Sequence, residues 1–212
     1  MNDQDPTDVP TADPRPAKLT RATSLVLVNT GPGKGKTSAA IGVVIRGVAR
    51  GWRVAVVQFL KSDTWHSGEE KVCRQLGVDW LTEGEGFTWD STDLTVDRAR
   101  AVSAWGQAKA LISAGDHSLV VLDEVTYPVN WEWIDVGDVV ETIRTRPDHV
   151  NLVITGRDAP QALIDLADTV TEMAETKPVS YTHLRAHETV LDLVCRLLLE
   201  KKTISKVKTS PI

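Results

Sequence analysis

The chain commits early to a strand, a tight glycine turn and a helix. The apolar run Leu25-Val26-Leu27-Val28 passes directly into Thr30-Gly31-Pro32-Gly33-Lys34-Gly35-Lys36-Thr37, and a helical pattern follows. Glycines let successive backbone N–H groups turn toward one point, because no Cβ stands in the way. The helix that follows opens with unpaired N–H groups and the positive end of its dipole. Both features attract phosphate, so the layout builds a cradle for a nucleotide triphosphate. Thr30, Gly31, Gly33, Lys34, Gly35, Lys36, Thr37 and Ser38 are the candidate phosphate-binding residues. Lys36 supplies a cation for the terminal phosphate oxygens, and the Thr37 hydroxyl is a candidate Mg²⁺ ligand. Position 30 carries Thr where the general pattern has a further glycine, and Lys34 adds a second cation inside the turn. The alternative is a glycine-rich turn that binds nothing.

Beyond the loop, short apolar runs alternate with helical patterns, which predicts an α/β fold with a mainly parallel sheet flanked by helices. Strands are expected over Leu25–Asn29, Arg53–Phe59, Val78–Leu81, Leu119–Asp123, Asn151–Thr155 and Thr169–Met173. Helices are expected over Thr37–Arg50, Gly68–Leu76, Thr95–Ser113, Val136–Thr145 and Ala159–Ala167. With 212 residues and 42% hydrophobic content, one domain with a sizeable core is expected. Residues 1–23 are rich in Asp, Pro and Thr and read as a flexible tail. A net charge of -5 argues against a dedicated nucleic-acid binder. No membrane span or apolar signal segment is evident, so the protein is expected to be soluble and cytoplasmic. Cys73 and Cys195 lie far apart, without metal-ligand neighbours, and suggest neither a disulfide framework nor a zinc site.

A second phosphate-site signal is Leu119-Val120-Val121-Leu122-Asp123-Glu124, a buried-type strand ending in two carboxylates. Such an ending puts negative charge at the carboxyl edge of a parallel sheet, where ligands bind and where Mg²⁺ needs oxygen donors. Asp123 and Glu124 therefore join Thr37 as candidate metal ligands. Many chemistries share these two signals.

Four further stretches narrow the choice: Gln58-Phe59-Leu60-Lys61, Gly68-Glu69-Glu70, Gly84-Glu85-Gly86-Phe87-Thr88-Trp89 and Leu122-Asp123-Glu124-Val125-Thr126-Tyr127. Two more follow, Ile154-Thr155-Gly156-Arg157 and Leu166-Ala167-Asp168-Thr169-Val170-Thr171-Glu172-Met173. In this order, with the glycine loop, they resemble the ATP:cob(I)alamin (corrinoid) adenosyltransferases of the phosphate-loop type over about residues 24–177. The resemblance implies a phosphate-loop NTPase-like (RecA-like) three-layer architecture. It also implies an enzyme in which a Co(I) corrinoid attacks the 5′ carbon of ATP, releasing triphosphate, so ATP and corrinoid are substrates and Mg²⁺ assists. No protein nucleophile is required, because cobalt is one. Lys34, Lys36 and Arg157 would hold the phosphates; for Arg157 a helix cap or a surface ion pair is the alternative. By resemblance, Phe87 and Trp89 form an apolar wall that displaces the axial ligand of a Co(II) corrinoid; packing against the sheet edge is the alternative. A homodimer and a reduced flavoprotein as electron donor are further implications.

The motif order breaks off at Lys177, where Pro178 replaces an expected His. Residues 178–212 carry six Lys/Arg against three Asp/Glu, whereas the rest of the chain is acidic. They read as a foreign or artefactual tail rather than a native module, and His183 and His187 receive no metal role. Two other function classes stay open: an ATPase driving a partner, with Glu124 positioning water, and a non-catalytic nucleotide-binding module. Trp52, Trp65, Trp80, Trp105, Trp131 and Trp133 are expected in packing roles, the last two within reach of the site. His66, His117 and His149 are expected as loop or turn residues.

Overall fold

The computed structural model describes residues 22–60, 67–82 and 94–176. Six strands alternate with helices. They are β1 (Val26–Thr30), β2 (Val54–Gln58), β3 (Asp79–Thr82), β4 (Leu119–Asp123), β5 (Asn151–Thr155) and β6 (Thr169–Glu172). The helices are α1 (Lys36–Val48), α2 (Gly68–Gln75), α3 (Leu94–Ala114), α4 (Thr126–Asn130), α5 (Val136–Arg144) and α6 (Gln161–Leu166). All strand pairs are parallel, in the order β3-β2-β4-β5-β1-β6. Every strand therefore ends at the same edge. The expected fold class is borne out, and strand and helix limits agree within a few residues.

Strand side chains alternate between faces, and two separate cores record that period. Val26, Val28, Ala55, Val57, Val120, Leu122, Leu152 and Ile154 face one core, which is closed by Trp105, Ala108 and Ile112 of α3, Val139 and Ile143 of α5 and Leu163 of α6. Val54, Val56, Leu119, Val121 and Val153 face the other, closed by Ala40, Ile41 and Val44 of α1 and Cys73 of α2. Each central strand is apolar on both faces because helices cover both. Burying one such Val or Leu side chain is worth about 1.5–3 kcal/mol, so the sheet is a rigid platform for its carboxyl edge. β6 is exposed along its length and closes the sheet beside β1.

Local signals fix several helix ends. The Ser67 hydroxyl accepts the Glu70 N–H at 3.2 Å and caps α2, while Asp135 accepts the Asp138 N–H at 3.0 Å and caps α5. α6 starts only after Pro160, two residues later than the pattern predicts, since Pro160 supplies the N-cap. The short α4 was not expected; it carries Tyr127 and leads into the ring contacts Tyr127–Trp131, 5.8 Å, and Trp131–Trp133, 4.8 Å. Trp80 and Trp105 are buried, as expected. His117 lies in the connection before β4 and is buried there, with its Nε2 2.8 Å from Asp79 Oδ2. Among the described residues no helix is long and apolar enough to cross a membrane. The compact unit containing the sheet ends at Ala174.

Candidate nucleotide and metal site

β1 ends in the glycine loop, and Gly35, with φ of 102°, caps the start of α1. The first N–H groups of α1, from Lys36 to Ser38, have no acceptor within the helix and form the anion-attracting end of the cradle. Lys36 Nζ donates to the carbonyls of Gly31, at 2.8 Å, and Gly33, so the ammonium spans the loop from within. Burial lowers the Lys36 pKa below its usual 10.5, and the positive charges of Arg157 and Lys34 depress it further. Three cations thus share one small region. Glu124 and Asp158 act on the same ammonium in the opposite sense.

Two of the glycines meet a demand unrelated to phosphate. The chain leaving β6 runs against the loop: Gly33 N–H donates to Met173 O at 2.6 Å, and Met173 N–H donates to Thr30 O at 2.9 Å. A Cβ on Gly31 or on Gly33 would lie 2.6 Å from Met173 O. Thr30, where the general pattern has glycine, uses its hydroxyl to accept the Ala159 N–H at 3.1 Å. It ties the loop to the connection after β5, which carries Arg157.

The acidic motif meets α1 across the edge. Asp123 is 1% exposed, and its carboxylate accepts from Thr37 Oγ1 at 2.9 Å, Thr155 Oγ1 at 2.7 Å and Gln58 Nε2 at 3.0 Å. Gln58 stands directly opposite Asp123 in the β2–β4 ladder. Glu124 has φ of 63°, a left-handed conformation that costs a residue with a β-carbon about 1–2 kcal/mol. Its N–H donates to Thr155 Oγ1 at 2.9 Å. The hydroxyl of Thr37 and the carboxylates of Asp123 and Glu124 are hard oxygen donors of the kind Mg²⁺ takes, directly or through water. Two of them already lie in hydrogen-bond contact, so the residues present fit such an ion.

Arg157 is held through its backbone. Thr126 Oγ1 donates to Arg157 O at 2.6 Å, and Asn130 Nδ2 donates to Asp158 O at 2.9 Å. Gly156, with φ of 146°, makes that approach possible; a Cβ there would lie 1.9 Å from Thr126 Oγ1. Burial and the Glu124 carboxylate raise the pKa of Tyr127, in the first turn of α4, while Arg157 opposes them.

Of the residues predicted from sequence, the structure brings Thr30, Gly31, Gly33, Lys34, Gly35, Lys36, Thr37, Ser38, Asp123, Glu124 and Arg157 to one edge of the sheet. Phe87 and Trp89 lie outside the described residues, as do Lys61, Trp65, His66, Cys195 and the tail from Lys177. Sequence reasoning assigned no role to Gln58, Thr126, Thr155 or the Met173 backbone. Gln58, Thr126 and Thr155 stand inside the quoted motifs, and the placement of Gln58 and Thr155 at strand ends was the available signal.

The sequence model of a family described as ATP:corrinoid adenosyltransferase BtuR/CobO/CobP matches residues 22–190, a stretch that runs past Lys177. The corrinoid adenosyltransferase CobA of Salmonella typhimurium is 37% identical over 165 residues, covering 78% of this chain and 84% of that protein. A corrinoid adenosyltransferase of Escherichia coli K12 matches with the same identity and coverage. One from Pseudomonas aeruginosa is 39% identical over 168 residues, 78% of this chain and 82% of its own length. The family-model match spans the glycine loop, the acidic motif and the Arg157 connection together, and the chain belongs to the ATP:corrinoid adenosyltransferase family.

Proposed function

We propose that this protein transfers the 5′-deoxyadenosyl group of ATP to the cobalt of a Co(I) corrinoid and releases triphosphate. The observation that carries the reading is the gathering of Lys36, Lys34 and Arg157 at the mouth of the glycine loop, beside the Thr37–Asp123 contact, in a chain of this family. In the reaction the electron pair of Co(I) attacks C5′, the cobalt–carbon bond forms, and the C5′–oxygen bond breaks with its electrons going to the triphosphate. The protein therefore has to stabilise a leaving group whose charge increases.

Like charges held close together suit that task. The repulsion among Lys36, Arg157 and Lys34 is relieved by an anion, and is relieved more in the transition state than in the ground state because charge on the triphosphate has increased by then. The α1 N-terminus adds oriented N–H donors that need no reorganisation. Thr37, Asp123 and Glu124 would hold Mg²⁺, which supplies further charge neutralisation on the phosphates. Thr30 and Thr126 keep the Arg157 connection in register with the loop. Phe87 and Trp89 are proposed, from the resemblance alone, to line the corrinoid side and to displace an axial cobalt ligand before reduction. A homodimer, a reduced flavoprotein donor, a cytoplasmic location and a catalytic domain of residues 24–177 belong to the same proposal.

The test is to mix the protein with ATP, Mg²⁺ and chemically reduced cobalamin and to follow the absorbance change as the cobalt–carbon bond forms. Adenosylated product with stoichiometric triphosphate is expected. Release of inorganic phosphate without adenosylated product overturns the reading in favour of an ATPase. Phe87→Ala is expected to slow reactions begun from Co(II) far more than those supplied with Co(I); equal losses would reduce Phe87 to a packing role.

A further inference from the structure

In the sheet order, β5 lies between β1 and β4, so its carboxyl end stands between the glycine loop and the acidic motif. The residue at that position is Thr155. It is fully buried, pairs in register with Asn29 of β1, and lies one step beyond the Leu122–Ile154 pair that joins β4 to β5. Its hydroxyl uses both of its capacities on the two acidic residues. It donates to Asp123 Oδ1 at 2.7 Å and accepts the Glu124 N–H at 2.9 Å.

Each bond has a separate consequence. Asp123 Oδ1 also accepts from Thr37 Oγ1 at 2.9 Å. A cation ligated by Thr37 takes a lone pair of that hydroxyl and leaves its proton for Oδ1, so Oδ1 is held from the α1 side by Thr37 and from the β5 side by Thr155. Glu124, for its part, holds a left-handed backbone that a side chain disfavours, and the Thr155 oxygen is the acceptor for its N–H. Thr37 and Gln58 also hold the first carboxylate, but the Thr155 oxygen alone among these groups bonds both acidic residues, the carboxylate of the first and the backbone of the second.

We propose that Thr155 is the positioning residue of the metal site, aligning Asp123 and Glu124 for a divalent cation beside the triphosphate. The inference rests on the metal reading given above. Groups that orient metal ligands without touching the metal typically change metal affinity about 10–100-fold when removed. Valine at position 155 has nearly the same shape and removes both the donor to Asp123 and the hydroxyl that accepts the Glu124 N–H, whereas serine keeps both.

The experiment is a calorimetric titration of the full-length protein with ATP, in chelator and at increasing Mg²⁺, without corrinoid. Thr155→Val is expected to bind ATP in chelator as the wild type does, but to need about 10–100-fold more Mg²⁺ for the full effect of the cation. Thr155→Ser is expected to restore the wild-type requirement. Thr155→Ala, which removes the hydroxyl without steric demand, is run alongside so that a fold defect peculiar to valine decides nothing. Valine and alanine variants with an unchanged Mg²⁺ requirement overturn the inference and leave the metal reading standing. A serine variant as impaired as valine also overturns it, since the hydroxyl would not be the group that matters. A wild type that binds ATP equally well in chelator and in Mg²⁺ removes the metal reading and the inference together.

Discussion

The two edges of the sheet treat charge in opposite ways. At the amino edge, Asp79 at the start of β3 meets Arg53 at 3.0 Å and His117 at 2.8 Å. Opposite charges are paired there, and the hydrogen bond from His117 is the main reason the Asp79 pKa lies below its usual 3.8. At the carboxyl edge, Lys36 lies among Lys34 and Arg157, and burial and those cations push its pKa down against the opposing pull of Glu124 and Asp158. The Arg53–Asp79 pair ties strand ends together, whereas burial and the neighbouring cations disfavour the Lys36 charge until an anion arrives. Frustrated electrostatics therefore identify the working edge.

Lys36→Ala gives the largest expected break in that contrast. Loss of the loop cation should lower adenosylation by about 10²–10³-fold, read from the cobalt–carbon absorbance change, because a preorganised charge on the leaving group disappears. Turnover and ATP affinity at wild-type levels would remove the working edge's defining residue.

Gly33→Ala comes next. Its new Cβ would meet backbone at both Met173 O and Ala174 O, so the loop and the chain after β6 must separate. A stability loss of about 1–3 kcal/mol in denaturant unfolding is expected, with weakened ATP binding. An unchanged midpoint would mean that the contact with Met173 yields freely.

The pH response is smaller. In the free protein the Lys36 pKa lies below 10.5, and a bound triphosphate favours the charged form. ATP affinity should therefore fall as pH rises through the lowered pKa, with proton uptake on binding in that alkaline window. The sign for folding is the reverse: the folded state binds the Lys36 proton less tightly than the unfolded chain, so this group's contribution to stability improves as pH rises toward 10.5. Isothermal titration in two buffers of different ionisation heat measures the uptake, and Lys36→Ala should abolish it.

Asp79→Asn should do least. The Asp79 side chain is 45% exposed, so screening limits its pairs to about 1 kcal/mol at most. Because its folded pKa is lowered, that contribution is present above the usual 3.8 and is lost as pH falls through the folded value. Thermal unfolding between neutral and acid pH should show the difference, with adenosylation unchanged; a large loss of activity would join the two edges.

Much of this was legible in the chain. Val120 and Leu122 alternate with Leu119 and Val121 between two cores, and a run apolar on both faces already announces a covered parallel strand. Lys36, Thr37, Asp123 and Glu124 were legible because a glycine turn ending in Lys-Thr and a strand ending in carboxylates each constrain chemistry locally. The short α4 was not, since five residues containing Pro128 show no helical period. The burial of His117 against Asp79 was not legible either, because only the placing of β3 and β4 on either side of β2 brings the two together.

Local sequence thus settled the elements, their alternation and the triphosphate cradle, since dihedral preference, apolar period and glycine turns act over a few neighbouring residues. Strand order was a tertiary outcome, and the remaining features depend on it. Placing β5 between β1 and β4 puts Thr155 beside both acidic residues and directs the Arg157 connection onto Thr30 and Thr126, while placing β6 beside β1 brings Gly31 and Gly33 against Met173. These contacts join residues from 31 positions apart, Thr126 and Arg157, to 142 apart, Gly31 and Met173, and nothing in short-range propensity encodes which distant strand end will be the neighbour.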